Sequence, residues 1–144
     1  MGHEFLAGES VLAFDLETTG ISTNNDRIVQ IALVGSNNEG EAVHYETLIN
    51  PRRPIPMGAS GVHGIFDVDV KGLDDFSHHA DEIHQLIEGA VIVGHNVRKF
   101  DMPLLENEFR RIGRLPPKPK AMMDTLEIVR RVKVGRPHNL GSLC

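Results

Sequence analysis

Val11–Gly20 reads VLAFDLETTG, and its first half decides the fold class. Five residues, VLAFD, form an apolar run that ends on a carboxylate and is bounded by Gly20, which is the pattern of a buried strand. Outward from it, Ile28–Val34 and Ala42–Ile49 read as two more strands. Ser36-Asn37-Asn38-Glu39-Gly40 lies between them, and these residues tolerate positive φ, so the two strands are expected to form an antiparallel hairpin. The period then changes. Phe76, Ala80, Ile83 and Ile87, with Leu86 beside them, share one helical face that stops at Gly89. Ala90–Gly94 (AVIVG) is apolar enough for a central strand. A helix is expected to open at Asp101 and Pro103, where proline is tolerated and an acid is favourable, and to end at Gly113. Ala121–Met123 reads as a further short strand. Asp124-Thr125-Leu126-Glu127 resembles a capping box that opens a helix to about Val132, and a final helix begins near Asn139. This order describes an α/β domain with a mixed central sheet flanked by helices.

With 144 residues, 40% hydrophobic and 24% charged, the chain has the profile of one globular domain spanning residues 1–144. Its Pro-rich stretches, Pro51–Pro56 and Pro116–Pro119, are too short to be domain linkers. Cys144 is the only cysteine, which excludes an internal disulfide framework. No apolar run is long enough to cross a bilayer and the N-terminus lacks the order of a secretory signal, so a cytoplasmic location without membrane partners is expected. The net charge of −5 argues against a general nucleic-acid coat. That charge is unevenly placed: residues 1–90 hold 4 basic and 15 acidic side chains, residues 91–144 hold 11 and 5. Such a division suits a protein that collects cations at one place and phosphates at another.

Asp15 and Glu17 stand two apart at the end of the first strand, so both carboxylates project from one face and repel each other. A hard cation such as Mg²⁺ or Mn²⁺ between them removes the conflict. Thr18-Thr19-Gly20 follows at once, with hydroxyls and a turn where backbone can approach a ligand. Arg110, Arg111, Arg114, Lys118, Lys120, Arg130, Arg131, Lys133 and Arg136 are candidates for phosphate contacts, which need only positive charge. Aromatic residues make up 5% and Trp is absent, so a site gripping one or two terminal nucleotides fits better than a long stacking platform.

Phe14–Gly20 (FDLETTG) resembles the first motif of the DnaQ-like (DEDD) 3′→5′ exonucleases, the family that includes the proofreading epsilon subunit of bacterial DNA polymerase III. Asn50-Pro51 with Pro54-Ile55-Pro56, Val62-His63-Gly64-Ile65, Gly94-His95-Asn96 and Phe100-Asp101 resemble family segments in the same order. So do Asp124-Thr125-Leu126 and His138-Asn139-Leu140, and the likeness runs over about residues 10–143. It implies a ribonuclease H-like fold and hydrolysis of nucleotides from DNA 3′ ends with two Mg²⁺ or Mn²⁺ ions. Asp15 would bridge the ions, Glu17 would hold the one that carries the attacking water, and Asp101 would serve the other. His63 resembles a position near the terminal nucleotide. Thr18, Thr19, Asn96 and Phe100 complete the substrate-binding set. Single-stranded or frayed 3′ ends, and a DNA polymerase, are the implied partners.

The third motif of the branch that the chain most resembles has a His and, five residues later, an Asp on the last long helix. Five residues after His138 stands Leu143, so the chain is expected to be truncated before that motif. It then carries three of four carboxylates, no recognisable base, and no last helix. Two alternatives stay open: an exoribonuclease acting on short RNA or tRNA ends, and a non-catalytic nucleic-acid-binding or polymerase-associated module.

Overall fold

A computed structural model describes residues 8–126. Its five strands are β1 (Val11–Thr18), β2 (Ile28–Ser36), β3 (Ala42–Leu48), β4 (Val91–Gly94) and β5 (Ala121–Asp124). The helices are α1 (Met57–His63), α2 (Asp67–Val70), α3 (Phe76–Ile87) and α4 (Met102–Arg111), the last preceded by a π-helical turn at Val97–Asp101. The sheet runs β3-β2-β1-β4-β5. β1, β2 and β3 pair antiparallel, while β4 and β5 continue from β1 in parallel. This is the mixed sheet expected from the sequence, with β1 at its centre. The helices expected from Asp124 to Val132 and near Asn139 lie largely or wholly outside the described residues.

Alternation along β1 sends Leu12, Phe14 and Leu16 to one face, where α3 and α4 cover them. Phe76 of α3 and Phe109 of α4 meet edge to face, their ring centroids 5.0 Å apart. Phe76, Ala80, Ile83 and Ile87 are buried, as the spacing predicted, and Asp75 caps α3 by accepting the Ser77 N–H. Ala13, Val34, Val93 and Met123 lie in register on the opposite face. Asp15 and Glu17 belong to that second face.

Two features of the sheet prepare the functional region. A bulge between Glu17 and Thr18 sets Ile28, not Val29, opposite Thr18. Ile28 and Ile31 therefore both enter the main core, while Val29 turns into a smaller one with Ile55, Ile65 and Val70 beneath α1 and α2. In addition, β1 pairs with β4 only from Val11 to Ala13. Beyond that point the chain leaves β4 through Gly94, where a Cβ would lie 2.8 Å from the Phe14 carbonyl oxygen. Asn96 then takes φ 59° and turns the backbone into the π turn.

The sequence reading placed no element between Ile49 and Phe76. α1 was missed because Gly58 and Gly61 each cost about 1 kcal/mol of helix propensity relative to alanine. Tertiary contacts hold it instead. Ser60 is buried and donates to the Ile65 carbonyl at 2.7 Å. Among the described residues no helix is long and apolar enough to cross a membrane.

Candidate active site

Asp15 and Glu17 leave the end of β1 on the face away from α3 and α4, and Asp101 approaches them from the last residue of the π turn. The sequence argument had Asp101 favouring a helix N-terminus. The structure bears out the helix start, since Asp101 directly precedes α4 and Pro103 lies in its first turn, but the Asp101 side chain makes no capping bond. Its buried carboxylate turns back towards β1 and accepts the Leu16 backbone N–H, on the stretch that β4 leaves unpaired. π turns often occur at functional positions, because the extra residue re-aims a side chain.

These carboxylates act on one another. Burial, then the charges of Asp15 and Glu17, push Asp101 up to about 7, with Asp124 adding to the effect and the Leu16 hydrogen bond opposing it. Glu17 is likewise raised, first by burial and then by Asp15, with His63 opposing. Among the described residues no three His, Cys, Asp or Glu side chains close into a ready ligand cluster. The donor set nevertheless fits a divalent cation: it is all oxygen, anionic, and carries a repulsion that a positive ion relieves.

Beside Glu17 lies a cleft of about 460 Å³, lined by Leu16–Ile21 of β1 and its following loop, by Pro56, Gly58, Ala59, Val62 and His63 around α1, and by Phe100. Its floor is held by hydrogen bonds that use up several predicted contact groups. Thr18 donates its hydroxyl to the Gly20 carbonyl at 2.6 Å. Thr19 donates to Asp26 Oδ1 at 2.8 Å and accepts the Arg27 N–H at 3.0 Å. A Cβ at Gly20 would sit 2.5 Å from Asp26 Oδ2, so a larger residue there has to displace the carboxylate that Thr19 and the Ser22 N–H hold. His63 Nδ1 accepts the Ile65 N–H at 3.1 Å, which leaves the proton on Nε2 to be donated to the Thr18 carbonyl at 3.0 Å. Both ring nitrogens are committed to backbone, so His63 offers the cleft its ring and not a base. Phe100 also lines the cleft while packing partly against the main core.

Asn96 is not among the cleft-lining residues. Its N–H donates to Asp124 Oδ1 at 2.8 Å, at the end of β5. Asp124 is buried and also accepts the Leu126 N–H, 3.0 Å away, consistent with the predicted cap, and the Arg98 N–H at 3.4 Å. It thus fixes the turn that carries Asp101 and adds negative charge to it. Sequence reasoning missed this second task. Its signals were the carboxylate at the end of a strand parallel to β4 and the Asp124-Thr125-Leu126 likeness.

The family model described as Exonuclease matches residues 12–144. A DNA polymerase III subunit epsilon-like protein of Rhodobacter capsulatus is 39% identical over 123 residues, covering 74% of this chain and 17% of that protein. The DNA polymerase III subunit epsilon of Treponema pallidum is 32% identical over 133 residues, covering 92% of this chain and 60% of its own length. The 3′-5′ exonuclease DinG of Bacillus subtilis is 34% identical over 125 residues, covering 86% of this chain and 13% of that protein. The chain therefore spans less than two thirds of each of these relatives. Among solved structures, E. coli exonuclease I in complex with a dT13 oligonucleotide matches with a TM-score of 0.76 and 23% identity, over 90% of this chain and 30% of that one. This likeness shows the fold, in keeping with the ribonuclease H-like expectation.

Proposed function

Since the chain belongs to the exonuclease family whose model spans residues 12–144, we propose that it acts on the 3′ ends of DNA, removing nucleotides by phosphodiester hydrolysis. What supports this reading is that the Asp101 carboxylate, aimed back at β1, feels the charges of Asp15 and Glu17, and that Glu17 lines a cleft of about 460 Å³. Asp15, Glu17 and Asp101 would hold two Mg²⁺ or Mn²⁺ ions. Divalent ions bound there supply Lewis acidity at the scissile phosphate and lower the pKa of water.

The chain's own residues do the rest. β1 is rigid because β2 pairs along its whole length, so Asp15 and Glu17 keep a fixed spacing. The Leu16 N–H aims Asp101, and Asp124 fixes the turn behind it. Phe100, the His63 ring and Thr18–Ile21 line the cleft, where the two rings would flank a terminal base. None of these contacts reads base identity, which suits an enzyme that must accept any 3′ terminus. The DNA polymerase III relatives make a polymerase the macromolecular partner that this reading implies.

The test is nucleotide release from a 3′-labelled single-stranded DNA in Mn²⁺, beside Asp15→Ala/Glu17→Ala, a 5′-labelled control and a matched RNA. Release from the 3′ end of DNA that the double variant loses supports the reading. Faster release from RNA would make the chain an exoribonuclease, and tight binding without release would make it a holding module.

A further inference from the structure

One buried carboxylate stands outside the site. Glu108, on α4, is 1% exposed, and each of its oxygens has a partner in the segment leading into β2. Oε1 accepts Arg27 Nε at 3.0 Å, and Oε2 accepts the Ile28 N–H at 2.8 Å. A buried, charged and fully partnered glutamate is costly in desolvation and poor as plain stabilisation, because an apolar side chain in its place would serve the core as well. Its partners say what it accomplishes. Arg27 is joined to Thr19 through both backbone groups, donating N–H to Thr19 Oγ1 at 3.0 Å and accepting the Thr19 N–H at 2.9 Å. Thr19 belongs to the wall of the cleft. Further out, Asn107 donates to the Thr23 carbonyl at 2.8 Å and Arg111 to the Asn24 carbonyl at 2.7 Å. Every one of these α4 side chains therefore grips the loop that forms one side of the cleft. The same helix begins immediately after Asp101.

We propose that Glu108 is a positioning residue that sets the distance between the 3′-nucleotide cleft and the carboxylate centre, by tying the helix that follows Asp101 to the loop that carries Thr18–Ile21. The assignment rests on the exonuclease reading of the cleft. Removing Glu108 leaves the Ile28 N–H and Arg27 without their acceptor and frees the wall to shift against Asp101. A displacement of about 1 Å at such a site costs up to about 100-fold in rate.

The full chain, Glu108→Gln and Glu108→Ala are titrated in Ca²⁺ with a single-stranded DNA carrying 2-aminopurine at its 3′ end. They are then assayed for 3′ release in Mn²⁺, at a temperature where each is folded by circular dichroism. Glu108→Ala is expected to weaken binding and lower kcat, roughly 10- to 100-fold combined. Glu108→Gln keeps an acceptor for Ile28 and lies closer to wild type. A merely structural role lowers the folded fraction but leaves the Kd and kcat of folded molecules unmoved, and that outcome overturns the assignment. Should Glu108→Ala not fold, Asn107→Ala/Arg111→Ala is used, and an unchanged Kd there likewise overturns it. A wild-type chain that neither binds nor releases overturns the exonuclease reading and this assignment with it.

Discussion

Asp101→Asn is the perturbation that separates what the proposed carboxylate centre would do for catalysis from what it costs the fold. In the metal-free chain Asp101 is raised from the ordinary 3.8 to about 7, so between these values the folded state keeps a proton that the unfolded chain has given up. Stability must then fall as pH rises from about 4 to about 7, and stay level above that. About three pH units at ~1.4 kcal/mol each make the loss about 4 kcal/mol at most. That is a ceiling, because Asp15 is exposed and part of its charge is screened. The amide introduced by Asp101→Asn cannot ionise, and its carbonyl can still accept the Leu16 N–H. Urea unfolding in EDTA should therefore show the Asp101→Asn variant more stable than wild type at pH 8 by about 2–4 kcal/mol, with the difference vanishing near pH 4. Mn²⁺ at 100 times its Kd should cancel most of that difference, since it stabilises the wild type by about 2.7 kcal/mol. A difference that is independent of pH, or a wild type that is the more stable at pH 8 without metal, would refute the argument.

Asp15→Ala should abolish the Mn²⁺-dependent rise in Tm, and an equal rise in the variant would remove Asp15 from the metal site. Gly94→Ala forces a Cβ to 2.8 Å from the Phe14 carbonyl and 3.2 Å from Val97 Cβ, prising β4 from β1 beside the site. It should cost about 1–3 kcal/mol in chemical denaturation, and an unchanged midpoint would show that the contact relaxes freely. His63→Ala removes two hydrogen bonds to backbone and should cost about 1–3 kcal/mol. Because neither ring nitrogen is available to the substrate, it should raise KM more than it lowers kcat, and a kcat loss as deep as that of Asp15→Ala would contradict this.

The period of the apolar residues specified most of the architecture. The continuous apolar run of Val11–Phe14 and the three- and four-residue spacing of Phe76, Ala80, Ile83 and Ile87 mark a strand and a helix, so these elements were legible before any contact was known. Asp15 and Glu17 were legible for the same reason, because strand geometry alone puts side chains two apart on one face. The α1 helix was not, since its two glycines oppose helix formation and packing over Val29 and Ile65 outweighs them.

What lay beyond the sequence was every relation between distant segments. Asp101 reads as a helix start, and only the unpaired stretch of β1 beyond Ala13 shows that its carboxylate is aimed there, away from its own helix. His63, Thr18 and Thr19 read as free polar groups until the loop and α1 claim their donors and acceptors. Nothing in the sequence marks Glu108, yet it is buried and accepts the Ile28 N–H, 80 residues away. Local preference acts over a few residues and is written into their order. The pKa of a carboxylate and the spending of a hydrogen bond depend on which surfaces meet across the fold, and that is settled only when the sheet and helices close on a common core.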